Sequence, residues 1–162
     1  MTGKVRLPPL RLRLAGLAGI TAGLVSSCGG SGPVTITGVP TPTGGDQTAC
    51  AAFVAALPDS LGEGLDRRDV SPPVATAAAF GSAPAVVTCG ASGVGAAYQR
   101  TSVLSEIDDV GWFTEDLGDL MRYSTPTRSP QVVLTLPADR QAFEVLVALG
   151  PAVRAHTRPT VG

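Results

Sequence analysis

The sequence predicts an α+β fold: a mainly antiparallel sheet with two helices packed on one face, and one disulfide. Three observations lead there. Strand-like segments follow one another between Val74 and Leu136 with no helical period among them. Apolar residues at helical spacing occur on the two flanks of that block, at Cys50, Phe53, Val54, Leu57 and Leu61 and again at Phe143, Leu146, Val147 and Gly150. Cys50 and Cys89 remain as a pair once a third cysteine, Cys28, is assigned elsewhere. A chain of 162 residues, 44% of them hydrophobic, suits one domain with a modest core.

Residues 1–27 read as an export signal. Lys4, Arg6, Arg11 and Arg13 form a positive start without an acid. The apolar run Leu14–Val25 that follows is shorter than the roughly 20 residues a membrane span needs, yet it suits the apolar centre of a signal peptide. It closes on Leu24-Val-Ser-Ser-Cys28, which resembles a bacterial lipobox. The resemblance implies a diacylglyceryl thioether on Cys28 and cleavage before it. Several acyl chains would then give a firm membrane anchor where one would not. Plain secretion is the alternative, because Val25 and Ser27 also suit an ordinary signal peptidase.

Residues 28–45 are expected to be a lipidated N-terminus and a Pro/Thr/Gly tether. Within it Val34-Thr-Ile-Thr37 alternates apolar and polar, and reads either as a short edge strand or as linker. The domain proper spans 46–153. Asp46 or Thr48 caps a first helix that Pro58 stops. Leu65–Val70 reads as a short strand within a glycine- and proline-marked loop, and Val74–Phe80 and Pro84–Thr88 as two strands joined at Gly81-Ser82. A loop follows at 91–95. Thr101–Ile107, Val110–Thr114 and Leu120–Thr125 are divided by Asp108-Asp109 and by 115–119, both turn compositions, and predict a β-meander. Pro130–Leu136 adds a strand, Asp139 caps a second helix, and Gly150-Pro151 ends it. Residues 154–162 are expected to be a disordered tail.

Outside the reducing cytosol, Cys50 and Cys89 have one connectivity open to them, a structural disulfide. The competing reading, a reactive dithiol, would want close spacing or an adjacent cation, and neither is present in the sequence.

From Cys50 to about Val153 the chain resembles a family of small exported actinobacterial proteins known as domain-of-unknown-function family 3515. The resemblance rests on Cys50-Ala-Ala-Phe-Val-Ala-Ala-Leu-Pro58, on Gly81-Ser-Ala-Pro-Ala-Val-Val-Thr-Cys-Gly90 and on Val110-Gly-Trp-Phe-Thr-Glu-Asp116. It departs after Gly90, where related chains carry prolines and this one reads Ala91-Ser-Gly-Val-Gly95. It implies export and this fold, and no reaction.

Composition narrows the functional classes. Removing the leader's four cations from the twelve in the chain leaves eight against thirteen acids, a net charge of −5 that offers nothing to nucleic acid. One histidine and three cysteines leave little for a metal cage or a His-based triad, and no cofactor is expected. His156 and the Arg67-Arg68 pair read as solvated or ion-paired surface. The acids Glu106, Asp108, Asp109, Glu115, Asp116 and Asp119 would converge if their two turns shared one end of the meander, on a hard cation or as a hydrolase pair. Solvated turn residues are the simpler reading. Trp112, Phe113 and Tyr123, with Tyr98, form a candidate interaction surface, although alternation puts Trp112 and Phe113 on opposite faces. The expectation is a lipid-anchored protein on the extracytoplasmic side of the cell membrane. There it would bind an envelope protein or a small ligand; a small hydrolase using a carboxylate pair is the alternative.

Overall fold

Burial alternates along 85–89, while the side chains at 132–134 are buried consecutively, and both segments are strands. The structure is a computed structural model that describes residues 32–90 and 97–160. The expected signal peptide 1–27, Cys28 and the expected loop at 91–95 therefore lie outside the described residues. In chain order the elements are α1 (Gly44–Ala55), β1 (Arg67–Arg68), β2 (Ala77–Phe80), β3 (Ala85–Cys89), β4 (Ser105–Ile107) and β5 (Val110–Asp116). After these come β6 (Leu120–Ser124), β7 (Arg128–Ser129), β8 (Val132–Pro137), α2 (Ala142–His156) and β9 (Arg158–Pro159).

Seven strands form one antiparallel sheet in the order β1-β2-β3-β8-β6-β5-β4, and β7 pairs with β9 apart from it. The expected meander is present as β4-β5-β6. Strand β8 departs from it by inserting between β3 and β6, pairing Val87 with Leu134 on one side and Tyr123 with Leu134 on the other. Its run Val132-Val-Leu-Thr-Leu136 is the most continuously apolar strand, which suits the position with neighbours on both edges.

One sheet face is closed by both helices. Ala85, Val87 and Cys89 of β3, Val110 and Trp112 of β5, and Val132, Leu134 and Leu136 of β8 meet Cys50, Phe53 and Val54 of α1. Val145, Leu146, Leu149 and Val153 of α2 complete this core. The sequence placed Phe143 and Val147 on the buried side of α2, but both are exposed. The stripe Ala142, Val145, Leu146, Leu149, Ala152 and Val153 fits the helical period over more turns, and it sets the rotation.

Both ends of the domain extend further than the sequence suggested. Helix α2 runs through Pro151 to His156, and Arg158–Pro159 is paired, so the chain is ordered to residue 160 where a disordered tail was expected. An internal proline costs about 3 kcal/mol. Burying Ala152 and Val153 beyond it offsets that, because a fully buried valine alone contributes about 1.5–3 kcal/mol. Helix α1 starts at Gly44, with Thr43 as N-cap and no side-chain cap bond, so Asp46 sits in the first turn instead of capping it. Its C-terminal end is capped from a distance. Arg67 donates to the carbonyls of Val54 (2.8 Å) and Leu57 (3.1 Å) and lies 6.0 Å from the Phe80 ring centre.

Upstream of α1, residues 32–43 are docked on the body as a strap where a flexible tether was expected. Val34 donates to Asp69 O and accepts from Ser71 N–H, a single parallel bridge in place of the strand considered for 34–37. Further along, Thr76 Oγ1 donates to Pro40 O at 3.0 Å. Pro42 lies so close to Gly90 that a Cβ there would sit 2.6 Å from its ring, at a φ of +90°. Glycine is required at 90 on both counts.

Cys50 and Cys89 form the expected disulfide across 39 residues, joining α1 to the end of β3, with both cysteines fully buried. The Cys50→Ala/Cys89→Ala double variant is expected to lose about 4 kcal/mol of stability in the loop-entropy account, read from the urea midpoint. The β4–β5 hairpin turns on Asp108 (φ 52°) and Asp109 (φ 59°), a backbone that favours Asp-Gly. Asp109→Gly should therefore raise stability by up to about 1 kcal/mol, the relief of left-handed strain exceeding the entropy glycine adds to the unfolded chain. A lowered urea midpoint would contradict this.

Candidate functional site

Alternation sends every second side chain of the sheet away from the helices, and on that second face two rows cross the strands. One runs Val86, Thr135, Arg122, Glu115 and the other Thr88, Val133, Ser124, Phe113, each residue paired with the next. The strap passes over the β3 side of these rows. Between residues 36–41 and the sheet lies a groove of about 540 Å³, floored by Val86, Thr88, Val133, Thr135 and Arg122. That volume falls within the roughly 300–1,000 Å³ of small-ligand pockets.

The charge in the groove is internally balanced. Arg122 Nε and Nη2 each donate to a Glu115 carboxylate oxygen at 2.8 Å, a bidentate pair whose side chains are 28% and 10% exposed. The bond to Glu115 holds the Arg122 pKa above its ordinary value, outweighing the opposing effect of burial. Around the pair stand hydroxyls, Thr88 and Thr135 on the floor and Thr37 and Thr41 on the strap. Ser124 Oγ, on the second row, and Gln131 Oε1 are buried without a hydrogen-bond partner among the described residues. Chemically this is a neutral, hydroxyl-rich surface with one fixed guanidinium.

The residues singled out from the sequence are dispersed. Trp112 is fully buried under the helices, and Tyr123 packs against the same core, where burial raises its phenol pKa. Phe113 lies on the opposite face, edge-on to Tyr98 with ring centres 5.3 Å apart. Trp112, Phe113 and Tyr123 therefore do not share a surface, for the reason that β5 alternates. The acids do not converge either. Successive turns of a meander lie at opposite ends, so Asp108-Asp109 and the 117–119 turn are separated by the length of β5, about 20 Å. Asp108 pairs with Arg154, and Asp116 Oδ1 accepts from Gly118 N–H at 2.8 Å. Among the described residues no three His, Cys, Asp or Glu side chains are placed to hold a metal. Arg67 and Arg68 are spent on backbone carbonyls, Arg68 on Gly81 O and Gly32 O.

The groove residues themselves escaped the sequence reading. Thr88 and Thr135 interrupt apolar strands at outward positions, which is the signal they offer. Nothing local marks residues 36–41 as a wall.

A family described as "Protein of unknown function (DUF3515)" matches residues 12–160. The chain belongs to this family. The matched span takes in the strap and β9 as well as the sheet. No curated protein and no solved structure matches the chain.

Within the groove, Arg122→Gln is expected to reduce stability by about 1–3 kcal/mol, because the carboxylate of Glu115 is left largely buried without its guanidinium. Chemical denaturation of the variant measures this; a loss below about 0.5 kcal/mol would place the pair among weak surface contacts.

Proposed function

We propose that the protein is a non-enzymatic binding protein of the cell envelope, exported by residues 1–27 and anchored by lipid on Cys28, with the strap-walled groove as its binding site. The supporting observation is the groove itself: about 540 Å³ between residues 36–41 and the sheet, lined by threonines around the Arg122–Glu115 pair. Because the one cation in it is already neutralised, the groove favours an uncharged polar ligand that exchanges hydrogen bonds with hydroxyls over an anion that would have to displace Glu115. The hydrolase reading is disfavoured by the same geometry. A general acid needs a carboxyl that stays protonated, whereas a bidentate guanidinium favours the ionised form of Glu115. Its neighbour Asp116 points to the other sheet face.

The test is native mass spectrometry of the protein purified from envelope membranes in mild detergent. The expected result is a polypeptide beginning at an acylated Cys28 and carrying a small-molecule adduct. Thr135→Trp, which fills the groove from an outward position on β8, should remove the adduct while the thermal transition is retained. An adduct unaffected by Thr135→Trp, or none at all, would refute the binding reading; a mass without acyl chains would refute the anchor.

A further inference from the structure

We infer that the edge of the sheet formed by β1 is held near the phospholipid headgroup surface, with the β4 edge on average farther from it. The inference rests on the acylation of Cys28 proposed above and adds an orientation to it. Its ground is where the docked strap begins. The sequence suggests a tether of eighteen residues, 28–45, which at full extension would let the domain roam roughly 60 Å from its anchor. In the structure that reach is consumed by docking from Gly32 onward. Gly32 O accepts from the Arg68 guanidinium, and Val34 is bonded in both directions to Asp69 and Ser71. Four Cα steps separate Cys28 from Gly32, at most about 14 Å of chain.

A lipid on Cys28 therefore fixes one particular edge close to the bilayer. Gly32 sits beside β1, the first strand of the sheet, and β4 is the last. Six interstrand gaps at about 4.8 Å put these edges about 29 Å apart, twice the free chain length, so as the domain pivots on its short tether the β1 edge stays near the surface while the β4 edge is on average farther from it. The surface that meets the headgroups is uncharged for the most part: Pro33, Thr35, Ser71, Pro72 and Pro73 are exposed there, with Asp69. Arg68 beside them is occupied by Gly81 O and Gly32 O. With a mature net charge of −5 as well, the stance is set by the length of the tether and not by attraction to anionic lipid.

The experiment uses the acylated mature protein in phosphatidylcholine vesicles, with and without phosphatidylglycerol. A fluorophore is attached in turn to Ser71→Cys, near β1, and to Glu106→Cys, on β4, and is quenched by a headgroup-linked nitroxide. Because the sheet pivots about its β1 edge with the far edge about 29 Å away, quenching should be at least roughly twofold stronger at position 71 in both lipid mixtures. Inserting twenty Gly/Ser residues between Ser31 and Gly32 adds a coil of about 25 Å and should bring the two positions to near equality. Equal quenching without the insertion overturns the orientation, as does a difference that persists with it or that requires phosphatidylglycerol. Intact mass is recorded on the same samples: missing acyl chains overturn the anchor as well, whereas an acylated protein with equal quenching overturns the orientation alone.

Discussion

Strand β8 is the piece on which the rest of the molecule depends. Without it the chain would hold two separate three-stranded antiparallel units, β1-β2-β3 and β4-β5-β6. By pairing with β3 on one edge and β6 on the other, β8 makes them one sheet and delivers Val132, Leu134 and Leu136 to the centre of the core. The same strand sends Val133 and Thr135 to the opposite face, where they floor the groove. Core and candidate site are thus two faces of a single strand. The disulfide acts beside it: Cys89 is the register partner of Val132, so the cross-link fastens α1 at the point where β3 meets β8.

What the sequence made legible was local. The apolar period of α1, the disulfide, the β4-β5-β6 meander and the opposed sides of Trp112 and Phe113 all follow from spacing, turn composition and redox chemistry over short distances. What it hid was decided at long range. Forty-two residues, 90–131, lie between β3 and β8, and no local pattern says that they pair. Gly150-Pro151 is a strong stop signal by itself, and it loses to the burial of Ala152 and Val153 against a core the helix reaches only in three dimensions. The acidic turns mislead in another way. Counting carboxylates along the sequence suggests a cluster, and strand length separates them.

The strap illustrates the same limit with a consequence for function. Residues 32–43 have a linker's composition, rich in Gly, Pro and Thr, yet backbone hydrogen bonds and the Gly90–Pro42 contact give them a fixed course. A segment poor in large apolar residues contributes little hydrophobic driving force, so its order depends on hydrogen bonds supplied by the body: Asp69 O and Ser71 N–H to Val34, Arg68 to Gly32, Thr76 to Pro40. These partners are distributed along its length. The course of the strap is therefore specified by residues that follow it in the chain by more than thirty positions, and composition alone could not reveal it.

The two uses of the strap are also linked mechanically. Its middle, residues 36–41, walls the groove, while its start, at Gly32 and Val34, is bonded to the β1 edge. A ligand seated in the groove would press on the former, and the chain leading toward Cys28 would pull on the latter. Because the Val34 bridge precedes the groove wall and the Thr76–Pro40 bond pins the wall itself, load applied at the N-terminal end meets the bridge first and reaches the wall only if that bridge opens. Two short backbone bonds, Val34 N–H to Asp69 O at 2.7 Å and Ser71 N–H to Val34 O at 2.9 Å, thus stand between the groove wall and the chain that precedes it. That arrangement leaves the shape of the groove governed by the sheet beneath it.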